Sequence, residues 1–274
     1  MSLKILWFFL FLVVMAVAAK LLVTWLEPRL TFHPTRGLST RPRGVDTRVR
    51  ELEIETEDGE TICVWSLERK NPLAEILFFH GNRGNLSLWS PLLSRMSAEG
   101  YSVAALDYRG YGTSSGSPTE AGLYRDTTAF VAYFWRHLNR STAPVVYWGR
   151  SLGGVTGSFA TTLRPPQGLI LESTFPDKKT LMGHRRLLRW ASLFSRYKLP
   201  VAEFLNGLSC PTLVIQGDSD PVVPLAVGRN LFERIPARKE FFLMAGAGHG
   251  DTHEVHPTLY WRRIRQFIET IRDG

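Results

Sequence analysis

Cysteine is scarce in this sequence, and closely spaced cysteines are absent. The 274 residues include two cysteines, Cys63 and Cys210, which lie far apart and form neither a C-x-x-C pair nor a metal-ligand pattern. Zinc fingers and thioredoxin-like redox sites need such spacing, so the sequence excludes both. We expect the two thiols to be buried and structural, and we predict neither a metal ion nor an organic cofactor.

Nucleic-acid-binding motifs are also missing, although the chain is basic. Its formal net charge of +8 comes from 33 lysines and arginines against 25 aspartates and glutamates. The arginines are scattered, and no zinc-finger, helix-turn-helix or aromatic RNA-binding signature is present. We therefore predict no nucleic-acid partner and find no sign of an obligate protein partner. Anionic lipid headgroups are a better match for the positive charge, so membrane lipid is the predicted partner.

Internal repeats and low-complexity tracts are likewise absent, and the composition is that of a globular protein. Hydrophobic residues make up 44% of the chain and charged residues 21%, which is enough apolar material to bury a sizeable core. A chain of this length fits one catalytic domain of ordinary size.

One long apolar segment lies near the N-terminus. Residues 5–26 read ILWFFLFLVVMAVAAKLLVTWL, long enough to cross a bilayer as a helix. We predict an uncleaved single-pass membrane anchor over residues 1–27 and a proline-rich linker over residues 28–45. A cleaved signal peptide is the alternative, because residues 16–18, Ala-Val-Ala, resemble a cleavage site. Basic residues lie on both sides of the segment, so the side of the membrane stays open.

Beyond the linker, short β-branched and aromatic runs alternate with helical patterns, which indicates a mostly parallel sheet with helices on both faces. We predict an α/β catalytic domain over residues 46–274, with eight strands at 50–56, 61–67, 75–79, 102–107, 145–148, 168–171, 212–216 and 240–244. The first two strands flank a Glu-Asp-Gly-Glu turn and should form an antiparallel hairpin at the sheet edge. Helices are predicted at 88–99, 120–138, 152–163, 225–235 and 258–271.

The strongest local motif is a G-x-S-x-G, residues 149–153, which follows an apolar strand and precedes a helix. A serine in that position lies on a tight turn, where flanking glycines remove side chains that would collide. Its hydroxyl then projects at the edge of the sheet, so we predict Ser151 to be a nucleophile. The backbone N–H of Leu152 can face a developing oxyanion, helped by the helix N-terminus behind it.

A serine hydroxyl needs a base to take its proton, and a carboxylate must orient that base. Two later strands end in loops that offer these groups, Gly217-Asp218-Ser219-Asp220 and Gly248-His249. His249 is the predicted base. We predict Asp220 to be the orienting acid, because Asp218 comes directly after the strand and can bond its own turn.

These motifs resemble those of the α/β-hydrolase superfamily, and closely the branch of single-anchor membrane hydrolases known as serine aminopeptidase-like or alpha/beta-hydrolase-domain proteins. They are HGN at 80–82, DYRGYG at 107–112, GRSLGG at 149–154, GDSDPVVP at 217–224 and GHGD at 248–251. The resemblance covers roughly residues 30–271. It implies an α/β-hydrolase fold with Ser151, Asp220 and His249 as the catalytic triad and the backbone N–H groups of Asn82 and Leu152 as the oxyanion hole.

The leading functional hypothesis is a serine hydrolase that cleaves carboxylic ester or thioester bonds through an acyl-enzyme on Ser151. Membrane tethering favours substrates such as lysophospholipids, monoacylglycerols or acylated proteins. A serine peptidase of the same fold is the alternative, although the sequence shows no carboxylate cluster to bind an amino terminus. A non-catalytic, membrane-associated binding protein on a hydrolase fold is a third hypothesis, but it predicts loss of a triad residue, and all three are present.

A short insertion over residues 174–209 occupies the place where this fold carries caps or lids. It is basic and amphipathic, with Arg185, Arg186 and Arg189 among leucines and a tryptophan. Two interpretations stay open: a helix that packs its apolar face on the core, and a segment that contacts the membrane or gates the substrate.

Overall fold

The structure is a computed structural model that describes residues 3–37, 49–184, 192 and 194–272. The strands in these ranges are β1 (His33–Pro34), β2 (Val49–Glu55), β3 (Thr61–Leu67), β4 (Glu75–Phe79), β5 (Arg83–Gly84), β6 (Ser102–Asp107), β7 (Val145–Arg150), β8 (Gly168–Glu172), β9 (Thr212–Gly217) and β10 (Lys239–Met244). The helices are α1 (Leu3–Thr31), α2 (Leu86–Ala98), α3 (Glu120–Tyr133), α4 (Leu152–Leu163), α5 (Lys178–Gly183), α6 (Val201–Phe204), α7 (Leu225–Arg234), α8 (Thr252–Val255) and α9 (Pro257–Arg272). A π-helical turn, Phe134–Leu138, continues α3.

Eight of these strands form one sheet, in the order β10-β9-β8-β7-β4-β6-β3-β2. The pairs from β10 to β6 are parallel, whereas β6–β3 and β3–β2 are antiparallel. Each predicted strand is present, with ends within two residues of those expected. The predicted α/β-hydrolase architecture, including the antiparallel hairpin at the edge, is therefore confirmed.

Helices cover both faces of this sheet. Along β4, Ile76 and Phe78 point into a core closed by α2 and α9, whereas Leu77 and Phe79 point into a second core closed by α3, α4 and α7. Successive side chains of a strand point to opposite faces, so a strand buried on both faces must be apolar throughout. The carboxyl ends of β4, β7, β9 and β10 meet at one edge, which brings their loops together.

α1 has the length and composition of a membrane-spanning helix. Its most apolar 18-residue window has a mean hydropathy of 2.6, and none of that window is buried in the protein. A helix of 29 residues is about 43 Å long, more than the roughly 30 Å of a bilayer's hydrocarbon core. The predicted anchor is therefore a continuous helix.

The predicted end of the anchor at residue 27, and the linker predicted to follow it, need correction. α1 continues through Pro28 to Thr31, and β1 then pairs in parallel with β5. The reason is Glu27, whose buried carboxylate accepts hydrogen bonds from the catalytic domain and so fixes the end of the helix on it. Residues 38–45 of the predicted linker lie outside the described residues.

The insertion predicted over residues 174–209 contains α5 and α6. Its residues 185–191 and 193 lie outside the described residues, and these include Arg185, Arg186 and Arg189. Among the described basic side chains, Lys178 is half-buried and contacts the end of α1.

Candidate active site

Ser151 lies on the sharp turn between β7 and α4. Its backbone has φ 54° and ψ −116°, in the positive-φ region that residues with a side chain rarely adopt. A Cβ atom on Gly149 would lie 2.3 Å from the carbonyl oxygen of Gly153, and one on Gly153 would lie 1.8 Å from that of Phe79. Both positions therefore require glycine. This is the physical basis of the G-x-S-x-G motif in this chain.

His249 lies between Ser151 and Asp220. Its Nε2 atom is 3.0 Å from Ser151 Oγ, and its Nδ1 atom is 2.8 Å from Asp220 Oδ2. Ser151 and Asp220 are buried, whereas the His249 side chain is 23% exposed, so a small molecule can approach the group from the histidine side. The structure thus brings together the three side chains predicted from separate loops.

The carboxylate of Asp220 is fixed by its own loop. Its Oδ1 atom accepts hydrogen bonds from the backbone N–H groups of Val222 and Val223, both at 2.8 Å, and the Gln216 side chain donates to Oδ2 at 3.2 Å. Oδ2 therefore remains directed at His249. Asp218, in contrast, is exposed. It accepts a hydrogen bond from the backbone N–H of Gly246 at 2.8 Å and so joins the loop after β9 to the loop after β10.

The two residues predicted as oxyanion donors lie in segments next to Ser151. Leu152 is the first residue of α4, so its N–H has no carbonyl partner within the helix. Asn82 lies in the loop between β4 and β5, where a Cβ built on the neighbouring Gly81 would be 3.6 Å from Ser151 Cβ. The carbonyl of Asn82 accepts hydrogen bonds from Tyr111 and from the backbone N–H of His33, both at 2.9 Å. We call residues 80–84 the oxyanion loop, after the role predicted for Asn82.

His80 supports this loop from beneath. It is fully buried, and its Nδ1 atom is 2.6 Å from the carbonyl oxygen of Gly81. Its ring packs against Tyr108 and Tyr111, with centroids 4.6 and 5.3 Å away, and its Nε2 atom is 3.2 Å from Asp107 Oδ1. His80 therefore shapes the loop, whereas the imidazole that faces the Ser151 hydroxyl is that of His249.

Sequence reasoning missed a buried ion pair behind the turn that carries Ser151. Arg150 and Glu172 are both almost fully buried, with Nη1 3.8 Å from Oε1. Arg150 also donates to the backbone carbonyl of His249 at 3.3 Å, and Glu172 accepts from Trp148 at 3.1 Å and from Tyr260 at 3.0 Å. The pair joins β7, β8 and the histidine loop. The available signals were two charged residues at the ends of strands that are otherwise apolar.

The same pair sets the charge of its surroundings. Burial opposes ionisation of Glu172, but the Arg150 guanidinium and a hydrogen bond from Thr252 outweigh burial and lower the pKa of the Glu172 carboxyl. Burial lowers the pKa of His253, and the Arg150 guanidinium 3.2 Å away lowers it further. These pKa shifts favour an ionised Glu172 paired with Arg150, next to a neutral His253 imidazole.

The part of the chain that the structure describes contains no group of three or more His, Cys, Asp or Glu side chains able to hold a metal ion. Cys63 and Cys210 are buried free thiols, as predicted. Burial raises the pKa of Cys63 to about 12 and that of Cys210 to about 11, so neither is a thiolate at neutral pH. The reactive groups that the site provides are therefore the hydroxyl of Ser151, the imidazole of His249 and the carboxylate of Asp220.

Comparison with known proteins places the chain in a family. A family model described as serine aminopeptidase, S33 matches residues 70–207. An uncharacterized membrane protein of Saccharomyces cerevisiae is 31% identical over 231 residues, covering 80% of this chain and 78% of that protein. The lysophosphatidylserine lipase ABHD12 of Rattus norvegicus is 32% identical over 264 residues, covering 78% of this chain and 65% of that protein.

A solved structure shares the fold. An esterase of Pyrococcus furiosus superimposes with a TM-score of 0.71 at 19% identity, covering 88% of this chain and 98% of the esterase. The matched family range contains the G-x-S-x-G motif and residues 80–84, whereas Asp220 and His249 lie beyond it. The chain is a membrane-anchored hydrolase, and it belongs to the serine aminopeptidase S33 family of the α/β-hydrolase superfamily.

Proposed function

We propose that this protein is a serine hydrolase that cleaves carboxylic ester or thioester bonds through an acyl-enzyme on Ser151. The observation that carries the proposal is the hydrogen-bonded series from Ser151 to His249 to Asp220, at 3.0 and 2.8 Å. In such a series the imidazole takes the hydroxyl proton as the serine oxygen attacks, and the carboxylate stabilises the imidazolium that forms.

The acylation step follows from these positions. Ser151 Oγ forms a bond to the acyl carbon, the carbonyl electron pair moves to oxygen, and the proton passes to His249 Nε2. The backbone N–H groups of Leu152 and Asn82 bind the oxyanion. Collapse of the tetrahedral intermediate expels an alkoxide or thiolate, which His249 protonates.

Deacylation repeats the chemistry with water. His249 takes a proton from a water molecule as the water oxygen attacks the acyl carbon. When the second tetrahedral intermediate collapses, the bond from the acyl carbon to Ser151 Oγ breaks, His249 returns the proton to Ser151, and the acid is released. No step needs a metal ion or an organic cofactor.

A lipid-derived substrate, such as a lysophospholipid or a monoacylglycerol, is the proposed class. Two observations support it. α1, which is fixed to the domain that carries the site, is long and apolar enough to span a membrane, and a relative 32% identical to this chain is named a lysophosphatidylserine lipase. Membrane lipid is accordingly the proposed partner of the protein. A serine peptidase is the alternative, and the description of the matched family favours it.

The deciding experiment is covalent labelling of the full chain with a fluorophosphonate, compared with Ser151→Ala. We expect labelling of the wild type only, and a loss of esterase turnover of about 10⁶-fold in the variant. Labelling that survives in Ser151→Ala would reject Ser151 as the nucleophile, and an unlabelled wild type would favour a binding protein. A panel of p-nitrophenyl esters, acyl thioesters, lysolipids and aminoacyl arylamides then separates esterase, thioesterase and peptidase activity.

A further inference from the structure

Glu27 is the buried residue of α1, and its surroundings are unusual for a membrane anchor. The side chain is 3% exposed and lies in the last turns of the helix, just after the apolar run. Its carboxylate accepts hydrogen bonds from four groups of the insertion, namely Lys178 Nζ at 2.6 Å, the Ser195 hydroxyl, and the backbone N–H groups of Arg196 at 3.0 Å and Tyr197 at 3.3 Å. The membrane helix therefore holds the insertion by a charged contact.

The chain that follows Glu27 holds the oxyanion loop by uncharged hydrogen bonds. The backbone carbonyl of Thr31 accepts a hydrogen bond from the Asn82 side chain at 3.0 Å. The backbone N–H of His33 donates to the carbonyl of Asn82, and that of Thr35 donates to the carbonyl of Gly84, both at 2.9 Å. We call residues 27–37 the exit segment, because they carry the chain from the membrane helix onto the domain.

Two further contacts close the exit segment onto the protein. Phe32 is buried, and its ring packs on Tyr197 with the centroids 5.6 Å apart. The Arg36 guanidinium donates to the backbone carbonyls of Ser114 at 2.7 Å and Gly116 at 2.6 Å. A flexible tether would need none of these contacts.

The chemistry of Glu27 argues against a role in attachment alone. A leucine at this position would serve membrane insertion better, and a buried carboxylate is destabilising unless charged and hydrogen-bonding partners surround it. Here those partners come from the insertion, and the next turn binds the loop that carries Asn82. One helix end thus touches the oxyanion loop and the insertion, whose first residue, Thr174, donates a hydrogen bond to the backbone carbonyl of Ser151 at 2.8 Å.

We propose that Glu27 and Thr31 are positioning residues for the active site: they hold residues 178 and 195–197 of the insertion, together with the oxyanion loop, in fixed relation to Ser151. The inference rests on the proposed function, since it takes Asn82 as an oxyanion donor. Displacing such a donor by about 1 Å can slow a reaction up to about 100-fold. Substituting Glu27 should lower kcat more than it raises KM, because the exit segment positions the oxyanion donor and is not expected to bind a small ester.

The test uses the full chain in detergent with a short p-nitrophenyl ester, so that membrane delivery of substrate plays no part. Glu27→Gln keeps the side-chain size and removes the charge. We expect kcat, per site titrated with fluorophosphonate, to fall about 10- to 100-fold while KM changes less than about threefold. Arg29→Gln, an exposed position on the same helix, is the matched control and should match the wild type.

Lys178→Met removes the same contact from the side of the insertion, and kcat should fall as it does in Glu27→Gln. This variant tests the positioning role if Glu27→Gln does not fold. Its matched control is Lys179→Met, at the exposed lysine next in the chain. The double variant Glu27→Gln with Lys178→Met leaves no buried unpaired charge, because the other cation beside Glu27, Arg196, is exposed. Its melting temperature should therefore recover while kcat stays low.

Three results have distinct meanings. A wild-type kcat in Glu27→Gln and Lys178→Met overturns the positioning role. A double variant that regains both melting temperature and kcat also overturns it, because the single losses then came from an unpaired charge. Failure of the wild type to label at Ser151 would instead reject the proposed function on which the inference rests.

Discussion

Arg150 donates a hydrogen bond to the backbone carbonyl of His249, so the residue before the proposed nucleophile holds the loop that carries the proposed base. Glu172 in turn holds the guanidinium from the neighbouring strand. The distance between Ser151 and His249 is therefore set by a buried charge pair as well as by packing. Both side chains are buried beneath the site, so neither is open to a substrate.

Breaking the pair should destabilise the protein strongly. Arg150→Met leaves Glu172 as an uncompensated buried charge, and we expect a loss of about 3–5 kcal/mol in the free energy of unfolding. Glu172→Gln should cause a similar loss, because Arg150 is then the uncompensated buried charge. Denaturant titration of the two single variants in detergent measures both losses.

The double variant Arg150→Met with Glu172→Gln separates stability from turnover. Neither charge remains, so most of the stability should return, whereas methionine cannot donate to the His249 carbonyl and turnover should stay low. Recovery of turnover together with stability would show that the hydrogen bond to His249 has no role in placing the base. The coupling between the two positions follows from the double-mutant cycle.

Asp220 and Asp218 should respond differently to the same substitution. Asp220→Asn replaces the carboxylate 2.8 Å from His249 Nδ1 by an amide that can select the wrong tautomer, so turnover should fall about 10³- to 10⁴-fold with little change in folding. Asp218→Asn keeps an oxygen for the Gly246 N–H and should leave turnover within about tenfold, or ~1.4 kcal/mol of barrier. A severe turnover loss in Asp218→Asn beside a near-normal Asp220→Asn would move the acid role to Asp218.

His253 should make stability depend on pH in the weakly acidic range. Its folded-state pKa lies below the ordinary 6.5, so the unfolded chain binds the proton more readily. The stability that the neutral imidazole contributes is fully present above about pH 6.5 and is lost as pH falls toward and through the lowered folded value. His253→Gln should flatten this part of the pH profile. The exposed His256→Gln is the control, and an equal flattening there would contradict the assignment.

Attachment through α1 should survive alkaline extraction. The full chain should remain in the membrane pellet after a carbonate wash, because the apolar window of the helix has no contact with the domain that could replace lipid. A chain that begins at Pro28 should be released to the soluble fraction. Recovery of a mature protein that begins at Ala19 would show instead that the segment is a cleaved signal peptide.

The sheet could be predicted from the sequence because its central strands are apolar on both faces and are separated by clear helical periods. The motifs lie at strand ends, so their order along the chain also predicted that Ser151, Asp220 and His249 would lie together. Their distances could not be predicted, because these depend on Gln216 and Glu172, which belong to no motif, and on contacts of Arg150 that its motif does not specify.

The exit segment could not be predicted from local sequence. A charged residue followed by two prolines, Pro28 and Pro34, is typical of a linker. Its actual structure depends on partners far along the chain: Lys178 is 151 residues from Glu27, and Asn82 is 51 residues from Thr31. Periodicity carries no information about such pairs.

The helix α1 extends only a short distance beyond its apolar run, and this distance limits which lipids the active site can reach. Residues 27–31 add little more than one helical turn, about 8 Å, and the domain is fixed to that turn. A domain held this close samples a single leaflet, so the relevant concentration of a lipid ester is its mole fraction in that leaflet and not its amount per volume. Adding inert phospholipid at constant substrate should therefore slow hydrolysis by surface dilution, while hydrolysis of a water-soluble ester in the same vesicles stays constant.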